Sequence, residues 1–525
     1  MPRSTWIRAF VVAAAALLPF VRCLPNPWIW DDQLLLAKRL DPAKGVGPLD
    51  VWGQPYWGDV GPADTYRPLA LSLIALERRA FGEAVAPYHA VSLALHAAVS
   101  LLVMAVFGRL AGARLGWLTA LLFAVHPVHA EAVAMVYGQL ELVSALFVLL
   151  TVGLYERSRR DGVRPAPFAL AVACAFAAAC SKESALVLPA LLLLVRAAWM
   201  SDRGNAEGRA RAPARRFVRG LGWDLLFWVV PLLYLGLRYR ALGTLAPDAE
   251  ATVTLGYSFG QRVKTVIVSL AHALRLCTFP TGQGLYYGHL RDSVFGRPAN
   301  ELLWLVAAGI AGRSLARELG GRRFGFAAGW FLLTFLPVSN ILPTGVLVAE
   351  RTLYLPSLGV CFLLASLYER LAESVASPRL LRGAFAALLV VAAAAGFRLV
   401  GDWHDEETFW RATVSTHPGS PMGHLGLGHA LLKRGEGSKS SGTPQELTEA
   451  AAAFAEAYRL NPTLTQALIG GGIVAAKRGD RAGAERLLRQ AVESAPDDPE
   501  AQAALRSFLE SPPAPAGAAP PDGPH

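Results

Sequence analysis

The sequence is short of charge and of cysteine, and each shortage excludes something. Only 17% of its 525 residues are Asp, Glu, Lys or Arg, against 53% that are hydrophobic. That balance argues against the three or four soluble domains this length would otherwise suggest. The five cysteines, Cys23, Cys174, Cys180, Cys277 and Cys361, lie in or beside apolar runs without metal-ligand spacing. They read as small hydrophobes, so neither a disulfide framework nor a zinc site is implied. A lipoprotein-type signal would want a small residue before its cysteine, but Arg22 precedes Cys23. The apolar N-terminus therefore reads as an uncleaved first span.

Apolar runs of the length that crosses a bilayer core fill the space left by charge. Eleven are recognisable, at 6–25, 89–108, 114–132, 138–156, 166–181, 184–200, 222–240, 299–313, 323–340, 354–370 and 382–400. The formal net charge of +10 could suggest nucleic acid, but the basic residues cluster in short loops between these runs. Arg109 and Arg114, then Arg157, Arg159, Arg160 and Arg164, then Arg203 through Arg219, then Arg313, Arg317, Arg322 and Arg323, and finally Arg379 and Arg382 fall on one side. This is the pattern of cytoplasmic loops, so the excess is assigned to topology and no nucleic-acid partner is expected. It places the N-terminus inside and everything after 400 outside. The segment 263–280 is long enough to span, yet it carries Lys264, His272 and Arg275. It reads as an amphipathic interfacial helix within a second large outer loop at about 241–298.

After 400 the composition changes. Pro462 and Pro496 are 34 residues apart, the period of a tetratricopeptide (TPR) repeat. Pro418 to Pro462 and Gly435 to Gly479 both span 44 residues, one period plus a polar insertion around "EGSKSSGTPQ". The expectation is an all-α chain: a polytopic membrane domain over 1–401, a TPR α-solenoid of two to three repeats over 402–510, and a disordered Pro/Gly-rich tail over 511–525.

Polar residues in the wrong place carry the functional signal. The first outer loop, about 25–88, opens with "PWIWDDQLL", so Asp31 and Asp32 directly follow an aromatic, apolar run. A helix N-cap with a first-turn acid and a solvated loop are the ordinary explanations; a catalytic carboxylate pair at a membrane surface is the other. Outer loops should be poor in cations, yet Lys182 in "CSKESAL" and Arg351 in "VLVAERTLYLPSLG" sit there, each beside a glutamate, Glu183 and Glu350. Ionisable groups at the membrane edge are costly and commonly mark a substrate path. "HPVHAEAVAMVYGQLEL" adds His126, His129, Glu131 and Glu141, and "TYRPLA" adds Tyr66 and Arg67. The histidines lack H-E-x-x-H order, and Pro127 breaks the helix that would align them, so a polar rim is favoured over a metal site. Cations at this depth suit a lipid-linked phosphate. A carboxylate suits deprotonation of an acceptor hydroxyl, with repulsion between neighbouring Asp side chains raising one pKa. Ligation of a divalent metal through oxygen is the alternative use of the pair.

The ordered set "WDD", "YRPL", "HPVHAEAVA" with "GQLEL", "KES" and "AERTLYLPSLG", ahead of TPRs, resembles the transmembrane and TPR-containing O-mannosyltransferases and their bacterial relatives in the GT-C glycosyltransferase superfamily. The resemblance runs from about 20 to 505. It implies a GT-C fold, a sugar donor linked to polyprenyl phosphate, and inverting single displacement onto Ser or Thr hydroxyls of a polypeptide. It further implies that Asp31 or Asp32 is the base or acceptor-orienting carboxylate, with Asp32 slightly favoured, and that Arg351 contacts the donor phosphate; Lys182 and Arg67 are added as phosphate-binding cations from their placement alone. Two departures stand out. Gly138-Gln139-Leu140-Glu141 replaces the family's G-R-[AS]-[DE], and the repeat array is short. The richness in Ala, Arg and Gly points to a bacterial inner membrane with the repeats in the periplasm. The competing readings are an O-antigen ligase or polymerase using lipid-linked oligosaccharide, a transporter, and a membrane-anchored TPR scaffold without catalysis. The acidic pair in the first outer loop disfavours the ligase, the lack of matched hydropathy repeats disfavours the transporter, and a scaffold has no need of Asp31, Asp32 and Arg351 on one face.

Overall fold

The computed structural model describes residues 3–62, 65–159, 163–199, 221–246, 256–284, 298–341, 347–437 and 443–511, with single residues at 287, 290 and 294. The basic cluster 203–219, Arg160 and the tail from 512 lie outside them. The chain divides into two compact units, Met1–Leu285 with Leu290–Asp405, and Tyr286–His289 with Glu406–His525. Helices make up both, and no strand occurs among the described residues.

In the first unit, five helices among the described residues are long and apolar enough to cross a membrane: Val85–Ala111, Gln139–Arg159, Gly222–Leu242, Glu350–Ser374 and Pro378–Gly401. A sixth counts if Ala113–Ala124 and Pro127–Ala134, bent by 56°, form one broken span. The remaining expected spans fold as Arg3–Leu17, Pro165–Ser181, Leu188–Trp199, Ala299–Leu319 and Gly321–Phe335. Two of the breaks between helices have local causes. His126 is extended because Pro127 follows it, and the lost N–H ends the helix there. Lys182 is extended as well, which separates Pro165–Ser181 from the next helix. The segment expected to be interfacial folds as the helix Phe259–Thr278, opened by a Ser258/Gln261 capping box.

Two aromatic clusters hold this unit together. Phe107, Phe326, Trp330 and Phe362 pack edge-on or tilted against one another in one cluster, with Trp199 joining them. His96, Phe123, His129 and Tyr354 pack in another. The outward faces carry Trp223, Trp228, Leu232 and Leu233 on one helix and Leu380, Val390 and Val391 on another, all exposed. Contiguous apolar surface of that kind needs a hydrocarbon solvent. The protein is an integral membrane protein.

Among the described residues the second unit has six helices, Glu406–Thr416, Pro421–Gly437, Pro444–Leu460, Thr465–Lys477, Arg481–Ser494 and Pro499–Glu510. The periodic prolines Pro418, Pro462 and Pro496 each occupy the turn before a helix start. Close approach sets the packing: a Cβ on Gly428 or Gly470 would press into the Phe454 ring at 2.7 and 2.4 Å. Thr465 donates to Asp498, 33 residues on, at 3.1 Å, tying the start of one helix to the N-cap of another.

Candidate active site

The stretch after the first helix turns sharply. Trp30 has φ 48, an uncommon backbone for a bulky residue, and a wide π-type helix, Gln33–Arg39, follows it. Asp32 precedes that helix but its side chain caps nothing there. Its carboxylate instead accepts backbone N–H bonds from Val136 at 2.9 Å and Tyr137 at 2.7 Å, and the residue is 1% exposed. Neither ordinary explanation, cap or solvated loop, describes Asp32. Asp31 is partly exposed and its carboxylate makes no hydrogen bond among the described residues.

The loop that holds Asp32 depends on a glycine. A Cβ on Gly138 would lie 2.2 Å from the Ala132 carbonyl oxygen, so only glycine lets the 135–138 turn fold back on the helix Ala130–Ala134. Tyr137, on that turn, is the hub of the site. Its ring stacks on Trp57 at 5.5 Å, meets Tyr56 edge-on at 5.9 Å and lies 5.1 Å beneath the Arg351 guanidinium. Its hydroxyl accepts from Arg67 Nη1 at 2.8 Å.

Three ion pairs surround this hub, and each joins a cation to an acid from a different segment. Arg67 grips Glu183 through Nε at 2.8 Å and Nη2 at 2.5 Å. Lys182 pairs with Glu141. Arg351 pairs with Glu131, whose other oxygen accepts the Arg351 backbone N–H at 2.8 Å. The sequence neighbours Glu183 and Glu350 are therefore not the partners of Lys182 and Arg351. Glu350 accepts from Gln283 Nε2 at 2.6 Å and from the Gly284 N–H at 3.0 Å, tying a distant loop to the Glu350–Leu353 turn. Nε and Nη2 of Arg351 make no hydrogen bond among the described residues, whereas every nitrogen group of Arg67 is committed.

Other expected rim residues turn to structural partners. His126 Nδ1 accepts from Val128 N–H at 3.2 Å and its Nε2 meets the Cys277 carbonyl at 3.0 Å. His129 Nε2 meets Ser357 Oγ at 2.9 Å. Tyr66 donates to the Trp52 carbonyl at 2.8 Å. Among the described residues no group of three or more His, Cys, Asp and Glu side chains is arranged to hold a metal ion.

No family model matches the chain. Curated proteins do. It is 27% identical over 479 residues to human protein O-mannosyl-transferase TMTC4, covering 81% of this chain and 64% of that protein. To Drosophila melanogaster protein O-mannosyl-transferase Tmtc1 it is 28% identical over 517 residues, covering 79% and 58%. To human TMTC3 it is 25% identical, covering 77% and 47%. The family likeness read from the motifs is borne out. The chain spans about three fifths of the length of the first two of these O-mannosyl-transferases. Among solved structures, the crystal structure of ArnT from Cupriavidus metallidurans bound to undecaprenyl phosphate aligns with a TM-score of 0.46 and 13% identity, over 93% of this chain and 80% of that one.

Electrostatics separate the two aspartates of this O-mannosyl-transferase-like chain. Burial raises the Asp32 carboxyl to about 7, against the pull of the two backbone amides; the charge of Asp31 adds less. Burial also raises Asp31, and Arg351 is the main opposing influence. Repulsion within the pair is thus the lesser cause, contrary to what adjacency alone suggests. Glu183 is held at about 2: burial would raise it, but Arg67 prevails. Tyr56 and Tyr137 belong to the site without having been singled out in the sequence. Tyr137 lies inside the quoted "AVAMVYGQLEL", but nothing in residue type or spacing marks it.

Proposed function

We propose that the protein is a GT-C glycosyltransferase that moves a hexose, mannose in the first instance, from a polyprenyl-phosphate donor to Ser or Thr hydroxyls of a polypeptide. The supporting observation is one carboxylate without a hydrogen bond, Asp31, set within the electrostatic reach of Arg351 and Arg67. In this reading Asp31 is the base. Both oxygens of Asp32 are occupied by backbone amides, so Asp32 positions the 135–138 turn and, through it, Tyr137. Asp31 takes the proton of the acceptor hydroxyl as its oxygen attacks the anomeric carbon. The bond from that carbon to the phosphate oxygen breaks on the opposite face, giving inversion, and the polyprenyl phosphate leaves with the electron pair. Arg351 offers the leaving phosphate its two uncommitted donor groups, and a charge-assisted contact in a partly dry site is strong. Lys182 and Arg67 contribute field more than contact, since Glu141 and Glu183 already hold them. The unit from 406 onward serves as a TPR module that recruits the acceptor or a partner protein. The enzyme works at the outer face of a bacterial inner membrane.

The test is to incubate purified protein with radiolabelled polyprenyl-phospho-mannose and a periplasmic protein extract. Label should appear on protein and be released by alkaline β-elimination, the signature of a Ser/Thr linkage. Label confined to lipid or glycan would instead favour the ligase reading.

A further inference from the structure

Tyr56 is buried, 1% exposed, and its hydroxyl has no hydrogen-bond partner among the described residues. A loosely held side chain does not explain this. The Tyr56 N–H donates to the Thr65 carbonyl at 2.7 Å and its own carbonyl accepts from Arg39 Nε at 3.4 Å, while Arg39 also binds Gln54. Its ring is walled by Trp57 at 5.0 Å and Tyr137 at 5.9 Å, with the Arg67 guanidinium 5.7 Å away. Other buried tyrosines of the same unit satisfy their hydroxyls: Tyr66 on Trp52, Tyr88 on Gly82, Tyr234 on Tyr66 and Tyr354 with His96. Leaving a buried hydroxyl without a partner is costly, and a bound group is one of the things that explains it in a native fold.

The chemistry of the surroundings narrows that partner. Asp31 lies within electrostatic reach of the phenol, and the loop's aromatic rings line the same place. Cations are already present for a phosphate. A phenol that both donates and accepts matches a neutral hydroxyl, and aromatic rings beside a few polar groups suit a sugar ring. We infer that the Tyr56 hydroxyl is a specificity contact to a ring hydroxyl of the transferred hexose. This rests on the lipid-linked donor proposed above.

The experiment uses the full-length protein in detergent, titrated by thermal shift with polyprenyl phosphate and with the same lipid phosphate carrying mannose or glucose. Wild type should bind one sugar-bearing lipid about tenfold more tightly than the bare phosphate, the increment of one to two good hydrogen bonds. Tyr56→Phe should match or exceed wild type in unliganded Tm, because the removed hydroxyl satisfied nothing, and should lose that increment while still binding bare phosphate. Tyr88→Phe, which removes a satisfied hydroxyl, should lower the unliganded Tm and keep the increment. The inference is overturned if Tyr56→Phe retains the increment, if wild type shows none, or if unliganded Tyr56→Phe is clearly less stable. If wild type binds neither lipid, the lipid-linked donor itself is wrong and the inference falls with it.

Discussion

The charges of the two units obey different rules. In the C-terminal unit the ion pairs are on the surface: Arg459–Glu456 and Arg489–Glu485 are three or four residues apart on one helix, and Arg411–Glu449, which joins two helices, is exposed as well. Around Tyr137 the pairs Arg67–Glu183, Lys182–Glu141 and Arg351–Glu131 join residues 116, 41 and 220 positions apart, and most of their side chains are buried. Exposed pairs contribute ~0–1 kcal/mol and help a surface stay soluble. Buried pairs of this kind gain little over an apolar core, because desolvation offsets their attraction. Three of them at one turn, with an extra carboxylate beside them, therefore add little stability, and in the proposed reading they organise charge for chemistry.

That contrast can be broken at several points. The largest effect on folding should come from Glu131→Gln, which strands the Arg351 guanidinium in a buried place and should cost about 3–5 kcal/mol in a denaturant titration of the detergent-solubilised protein. A loss no greater than that of a surface variant would show that the pair is not the keystone described here. Next comes Asp32→Asn. Asparagine keeps one acceptor oxygen but leaves a backbone N–H of the Val136–Tyr137 turn unpaired, a loss of about 1–3 kcal/mol measured the same way.

A pH effect follows from the surroundings of Asp31. Only ionised Asp31 can accept a proton, and burial raises its pKa. The acid limb of kcat/KM should therefore lie above the usual carboxylate range, with activity present above it and lost as pH falls through it. Arg351 opposes the rise, so the residual activity of Arg351→Gln should show that limb at still higher pH; a limb unmoved or moved down would mean that another group titrates. The smallest effect belongs to the second unit: Arg489→Ala should shift stability by less than ~0.5 kcal/mol.

Much of the candidate site was legible in the sequence, because charges at the membrane edge are costly and stand out. Arg67, Lys182, Arg351, Glu131, Glu141 and Glu183 all meet in it. Their pairing was not legible: Glu183 and Glu350 are only the sequence neighbours of Lys182 and Arg351, whereas the fold crosses the partners between loops. The division of labour between Asp31 and Asp32 also depends on a backbone more than 100 residues away, which no local pattern encodes. Hydropathy located the helices but not their breaks, since runs such as 114–132 conceal a proline bend that only matters once the chain must fold back toward the site. Tyr56 and Tyr137 carried no periodic or charge signal at all.

Catalysis in the proposed reading turns on which aspartate meets the acceptor. Transfer of radiolabelled hexose from polyprenyl phosphate to protein should be timed for wild type, Asp31→Asn and Asp32→Asn under saturating donor. Loss of a general base predicts a fall of about 10²–10⁴ for Asp31→Asn, with Asp32→Asn retaining the greater share of its activity once corrected for folded protein. Equal rates for wild type and Asp31→Asn, or a deeper loss from Asp32→Asn, would contradict it.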